Sequence, residues 1–290
     1  MASDSRRIAI VTDSAACVPE PLRQEYDIRV VPYRLIWDGV TYLDGRDLTP
    51  AEFYQRFRSC RTYPTTAQPS LSDFVDVYRD LLSRYESIVS IHVAERLTTA
   101  LQVARLAAQE VGQERIRIVD SHTAASPEGF VVLAAARAAA RGASLDEVVA
   151  AAEECSTRVG MVFTMETLEH LHRGGRIGQA ATLLGSRLRI QPVLTLMDAQ
   201  VRPITIKRQR DQAKAQLLTE LKRRAGGRPL RAAVFHADAL QEAQELLEAI
   251  RTRFECVESF LAEFTPVMGA HTGPGIIGIG YCLEHRKGED

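Results

Sequence analysis

No apolar run in this 290-residue chain reaches the roughly 18–20 residues that a membrane-spanning helix requires, so integral membrane association is not expected. The N-terminus, MASDSRRIAIVTD, passes from polar residues straight into a short strand pattern without a signal-peptide apolar stretch, and the expected address is cytoplasmic. Five cysteines (Cys17, Cys60, Cys155, Cys256 and Cys282) are odd in number, widely spaced and free of CxxC or Cys/His metal spacing. They read as buried or incidental thiols of a reducing compartment. A GxxxxGK[ST] phosphate loop, a GxSxG elbow and an HExxH pair are all lacking, and the glycines of GIIGIG stand in the wrong order for a dinucleotide fingerprint. No familiar nucleophile, metal or nucleotide chemistry is therefore anticipated.

What is present is an α/β pattern. Residues 7–11 form a short apolar run that ends in Thr12-Asp13-Ser14, and residues 28–36 are rich in β-formers. Thr49-Pro50-Ala51-Glu52 combines a capping hydroxyl, a proline at the first helical position and a glutamate placed to close a capping box. Residues 70–85 carry an apolar stripe at helical spacing. Strand-like 87–93, helix-like 98–111 and strand-like 116–119 follow, then an alanine-rich region over 130–155 broken at Gly142 and restarted at Ser144. This alternation predicts a mostly parallel sheet flanked by helices, with its ligand edge at the carboxyl ends of the strands. After residue 158 the grammar changes to a strand at 159–163, a hairpin over 190–207 and strands near 231–236, 258–264 and 275–283. Two domains, 1–158 and 159–290, are expected, the second an α/β domain with a mixed sheet.

Between His170 and Ala215 nine Lys or Arg residues face only Asp198 and Asp211, although the whole chain has a net charge of -1. Within that stretch Gly174-Gly175 should end a helix and leave Arg176 on an exposed turn. Such an excess calls for an anionic partner or ligand group. The stretch lacks interleaved aromatics, so nucleic acid is not the expected partner. His170 and His172, two apart, should point to different faces and form no metal pair. Three polar loop clusters are candidate binding elements: 65–70 (TTAQPS), 97–102 (LTTALQ) and 271–275 (HTGPG). Ser70 and Thr98 could equally serve as plain helix caps, and His271 could be an ordinary solvated histidine on an exposed turn.

In combination these segments resemble the DegV family of bacterial fatty-acid-binding proteins. The likeness runs through IAIVTDSA, TTAQPS, LTTALQVA, IVDS, LEHLHRGGRIGQAATLLGSRLRIQPVLTL and HTGPGIIG, in that order. It implies a two-domain α/β protein that encloses a long-chain fatty acid in a tunnel between its domains and presents it to a separate fatty acid kinase. That kinase phosphorylates the carboxylate to an acyl phosphate for phospholipid synthesis. The chain itself would be a carrier without catalytic residues, metal or cofactor. By the same resemblance the carboxylate contacts fall on Thr66, Thr98 and His271, and Arg176 takes the kinase-docking or phosphate-facing role. The sequence departs from the family pattern at Ala67, at Thr99 and Ala100, and at Pro127 and Glu128, which bears on the acyl chain preferred.

Two other readings stay open. An enzyme acting on a small phosphorylated or carbonyl compound would need a wet interdomain cleft. A pure interaction module docking through the basic stretch would need no enclosed cavity.

Overall fold

The computed structural model describes residues 7–184 and 190–285. The first half of the chain begins with β1 (Ile8–Asp13), α1 (Glu20–Tyr26), β2 (Arg29–Val31), β3 (Arg34–Trp37), β4 (Val40–Leu43), α2 (Pro50–Phe57) and β5 (Thr65–Ala67). It continues with α3 (Leu71–Leu82), β6 (Ser87–His92), α4 (Ala100–Val111), β7 (Ile116–Asp120), α5 (Ala125–Ala140) and α6 (Leu145–Arg158). The second half opens with β8 (Val159–Thr164), α7 (Glu169–Arg173), β9 (Gln191–Met197), β10 (Gln200–Lys207) and α8 (Arg210–Ala225). β11 (Leu230–His236), α9 (Leu240–Arg253), β12 (Cys256–Glu263), α10 (Pro266–Thr272) and β13 (Ile277–Leu283) complete it.

Three sheets result. The first, in the order β2-β1-β6-β7, is parallel throughout. All six residues of β1 are buried, because helices cover both of its faces. Ile8 and Ile10 pack toward α5, whereas Ala9 and Val11 pack toward α3 and α4. The second sheet, in the order β10-β9-β8-β13-β11-β12, is mixed: β11 and β12 run parallel and the other pairs antiparallel. α8 and α9 close one face of it, and the other face looks toward the first lobe. The sequence pattern does not anticipate the third sheet, β4-β3-β5, which is small and antiparallel. Residues 28–36 are two strands in two sheets rather than one β piece. Pro32 has no amide hydrogen to continue the ladder of β2 with β1, and the chain turns away there into β3.

α5 is the keystone. Twelve of its 16 residues are buried, on every side of the helix, because it lies between the parallel sheet and the mixed one. The approach is close: a Cβ on Gly280 of β13 would stand 2.6 Å from Ser126 Oγ and 2.9 Å from Pro127 Cδ. Three helix starts agree with the sequence, with capping boxes at Thr49/Glu52, Ser70/Asp73 and Ser144/Glu147. Thr98 departs from expectation. α4 is entered through Thr99, and the Thr98 hydroxyl accepts the Ala100 amide from just outside the helix.

Four of the nine cations in residues 170–215 have an acidic partner in the fold. Arg173 pairs with Glu169, Arg202 with Asp198, Arg210 with Glu242, and Lys214 with Asp211 and Glu242. Glu169 and Glu242 come from outside the counted stretch. Arg187 and Arg189 lie outside the described residues.

Candidate functional site

The segments HLHRGG and HTGPG, about a hundred residues apart in sequence, interlock. A Cβ on Gly174 would collide with His271 Nδ1, and one on Gly273 would collide with the ring of His170. Each glycine is thus the seat of the other segment's imidazole. Gly273 also sits at a φ of +70°, in the left-handed region. His170 is buried against Phe57 and Tyr63 while His172 is exposed, so the two do point apart. The expected exposed turn at 271–275 is instead the packed end of α10, and His271 is mostly enclosed. Its imidazole pKa falls to about 4, first because burial disfavours the cation and then because Arg176 stands near. It is neutral at physiological pH.

Four side chains singled out from sequence meet at one cavity. Thr66, Thr98, His271 and Arg176 all line it, together with Tyr33 and Gln68. Thr66 Oγ1 lies 2.8 Å from His271 Nε2, and the Tyr33 phenol donates to Thr98 Oγ1 at 3.3 Å. Burial holds the Tyr33 phenol well above its usual pKa, so it remains a donor. Arg176 is exposed at the rim. Its guanidinium is tied to the carbonyls of Gly174 (2.7 Å) and Leu97 (3.0 Å) rather than reaching inward.

The hydroxyl polarity follows from counting donors. His271 Nδ1 is buried against Gly174 with no partner among the described residues. An unpaired lone pair is cheaper to bury there than an unpaired N–H, which places the proton on Nε2. Nε2–H then donates to Thr66 Oγ1. Thr98 Oγ1 already accepts from Tyr33 and from the Ala100 amide. Thr98 therefore has both lone pairs engaged and Thr66 has one, and each keeps an O–H to give. The rim is arranged to donate to an acceptor.

Behind the rim the walls are apolar. Met161 and Phe163 of β8, Phe235 of β11, and Phe264, Val267 and Ile276 around α10 form them, and Phe235 stacks on Phe264 with ring centroids 4.9 Å apart. The cavity has a volume of about 160 Å³. First-half and second-half residues contribute together, so the space lies between the lobes. Ala67, Thr99, Ala100, Pro127 and Glu128, the departures from the family pattern, are not among the lining residues. Tyr33 was not legible as a site residue: nothing in its local sequence distinguishes it from an ordinary strand aromatic.

Fold and site together define a two-lobed α/β protein with an apolar interlobe cavity and a hydrogen-bond-donating rim. The chain belongs to the DegV family: the family model described as an uncharacterised protein, DegV family, matches residues 7–284. A DegV domain-containing protein of Streptomyces coelicolor is 35% identical over 277 residues, covering 95% of this chain and 98% of the relative. Among solved structures, a DegV family protein of Thermus thermophilus described for its fatty acid binding superposes with a TM-score of 0.89. It is 35% identical, and the match covers 96% of this chain and 100% of that one. DegV of Bacillus subtilis, a fatty acid binding protein, gives a TM-score of 0.86 at 30% identity, covering 96% and 99%. No helix among the described residues is long and apolar enough to cross a membrane.

Proposed function

We propose that this chain is a cytoplasmic fatty-acid carrier. It holds the tail of a long-chain fatty acid between an N-terminal domain (1–158) and a C-terminal domain (159–290), and presents the carboxylate at the rim to a separate fatty acid kinase. The observation that carries this reading is the pairing of an apolar cavity with a rim of two donor-poised hydroxyls, Thr66 and Thr98. A carboxylate is acceptor-only and matches that rim; a neutral donor ligand would not. Tail burial supplies the affinity. About fifteen methylene-scale groups at roughly 0.8 kcal/mol each give on the order of 12 kcal/mol gross, before the entropy of fixing the chain is subtracted. Neutral hydroxyls orient the head without enclosing both oxygens as a bidentate arginine would, which leaves one open to a phosphoryl donor. In this reading Arg176, exposed beside the rim, meets the kinase or faces the acyl phosphate produced.

The carrier role assigns no catalytic residue to this chain and requires no metal or cofactor beyond the bound acid. The apolar walls favour it over an enzyme working on a small polar substrate, for which a wet cleft is needed. Native mass spectrometry and lipid extraction of the purified protein provide the test. A co-purifying long-chain acid, largely lost in Thr66→Ala/Thr98→Ala, is expected. A wild-type protein that carries no acyl chain and takes up none from solution would sink the proposal.

A further inference from the structure

Two of the five cysteines meet. Cys155, in the last turn of α6, and Cys282, near the end of β13, approach to 3.5 Å between sulfurs, both 3% exposed. The other three stand apart: Cys17 is buried near the carbonyl of Ser14, and Cys60 and Cys256 are partly exposed with no thiol neighbour described. The pair joins opposite halves of the fold, since α6 packs with α5 whereas β13 is an inner strand of the mixed sheet. Arg158 lies one helical turn from Cys155, its guanidinium donating to the Leu283 carbonyl at 2.7 Å, so a positive group flanks the sulfurs.

We propose that Cys155 and Cys282 are a redox pair, oxidised by a peroxide to a reversible disulfide that staples the two lobes. In the first step the Cys282 thiolate attacks the peroxide O–O bond. Sulfur gains an oxygen, one water leaves and a sulfenic acid forms. The Cys155 thiol then attacks that sulfur, the S–S bond forms and a second water leaves. Two thiols have lost two electrons and the peroxide has gained them. Cys282 is the first nucleophile, because its thiol pKa is lowered by its contact with Cys155 and by Arg158, partly opposed by burial. Cys155 has its own pKa raised, first by the same contact and then by burial.

The staple would close a loop of more than a hundred residues, which is where a cross-link restricts the unfolded chain most. It lies away from the rim. Cys282 is five residues along β13 from Ile277, roughly 16 Å at strand spacing, and the cavity lining ends at Ile276. Oxidation should therefore raise stability without closing the ligand site.

The test uses the full wild-type chain treated with hydrogen peroxide, with thiols counted by maleimide labelling under denaturing conditions and the disulfide mapped on non-reduced peptides. Expected are the loss of two of the five titratable thiols and a single Cys155–Cys282 cross-linked peptide. The melting temperature should rise by on the order of 5–10 °C and return with dithiothreitol. In Cys155→Ala, a sulfenic acid trapped at Cys282 by dimedone is expected in place of the cross-link. Five thiols surviving peroxide in the folded protein would overturn the proposal, as would a cross-link through Cys60 or Cys256, or over-oxidation of Cys282 in the wild type without a bridge. The wild-type peptide map decides the matter even if the variant does not fold.

Discussion

The rim and the body of the cavity are built on opposite principles. In the body, Phe163, Phe235 and Phe264 are apolar core residues that happen to leave a space, and what they contribute to a ligand is the same non-directional burial they contribute to the fold. At the rim the key polar side chains are each held by a group behind them: His271 behind Thr66, Tyr33 behind Thr98, Gly174 behind His271. Damage to the body should therefore register mainly as lost stability. Damage to the rim should register mainly as lost ligand.

The largest expected effect is in the body. Phe235→Ala removes a ring that is fully buried, and about 3–5 kcal/mol of unfolding free energy should disappear in denaturant titration. A cost below 1 kcal/mol would mean that the stacked rings are not part of the common core.

Next comes pH, where two groups tied to α10 act with opposite sign. The Asp44 carboxylate accepts the Val267 amide at the start of α10, and its pKa is raised to about 6, chiefly by burial. A carboxyl raised in the folded state contributes stability at low pH that is lost as pH climbs from about 4 through 6. His271, at the other end of α10, has the reverse sign. Its folded pKa of about 4 lies below the usual 6.5, so stability falls as pH drops from 6.5 toward 4. Relative to wild type, Asp44→Asn should become more stable as pH rises across this window, and His271→Gln should become more stable as pH falls. Each difference should reach on the order of 2–3 kcal/mol in urea midpoints taken at several pH values. Parallel profiles for wild type and both variants would refute the assignment.

Smaller in energy is the loss of one rim donor. Thr66→Val or Thr98→Val keeps the shape and removes the hydroxyl, at about 1.5–3 kcal/mol for a hydrogen bond to a charged group, or roughly tenfold to a hundredfold in fatty acid affinity. Fluorescent fatty-acid displacement should report it while the apo melting temperature stays within a degree or two. Smallest is Tyr33→Phe, which leaves Thr98 in place and removes only the donor behind it; a loss of severalfold in affinity is expected by the same assay. If Tyr33→Phe costs as much as Thr98→Val, the phenol itself reaches the ligand and the separation between contact and support fails.

The parts of this molecule legible in sequence are those governed by local rules. The capping boxes at Thr49 and Ser144, the cap at Ser70, the parallel strands ending in Thr12-Asp13 and Asp120, and the hairpin of β9 and β10 all followed from periodicity and end signals. Local pattern singled out Arg176 and the loops that hold Thr66, Thr98 and His271, family resemblance gave these residues their roles, and they do converge on one cavity. What stayed hidden depends on distant partners. The small third sheet forms because β5 returns beside β3, some thirty residues away. The burial of His271 depends on Gly174, and the pairing of Arg173 and Arg210 depends on Glu169 and Glu242, both outside the basic stretch. Pairings of that separation leave no periodic trace.

The placement of α5 has a consequence for how the chain folds. A helix that is buried around its whole circumference and mostly apolar has no stable home beside one sheet alone: exposed on the other side, it would invite aggregation. Neither half of the polypeptide should therefore survive when expressed alone, and the intact protein should melt in a single cooperative transition. A nascent chain released before β13 is made would hold out a bare alanine- and valine-rich surface, which makes the last strand synthesised the one that renders the first lobe safe.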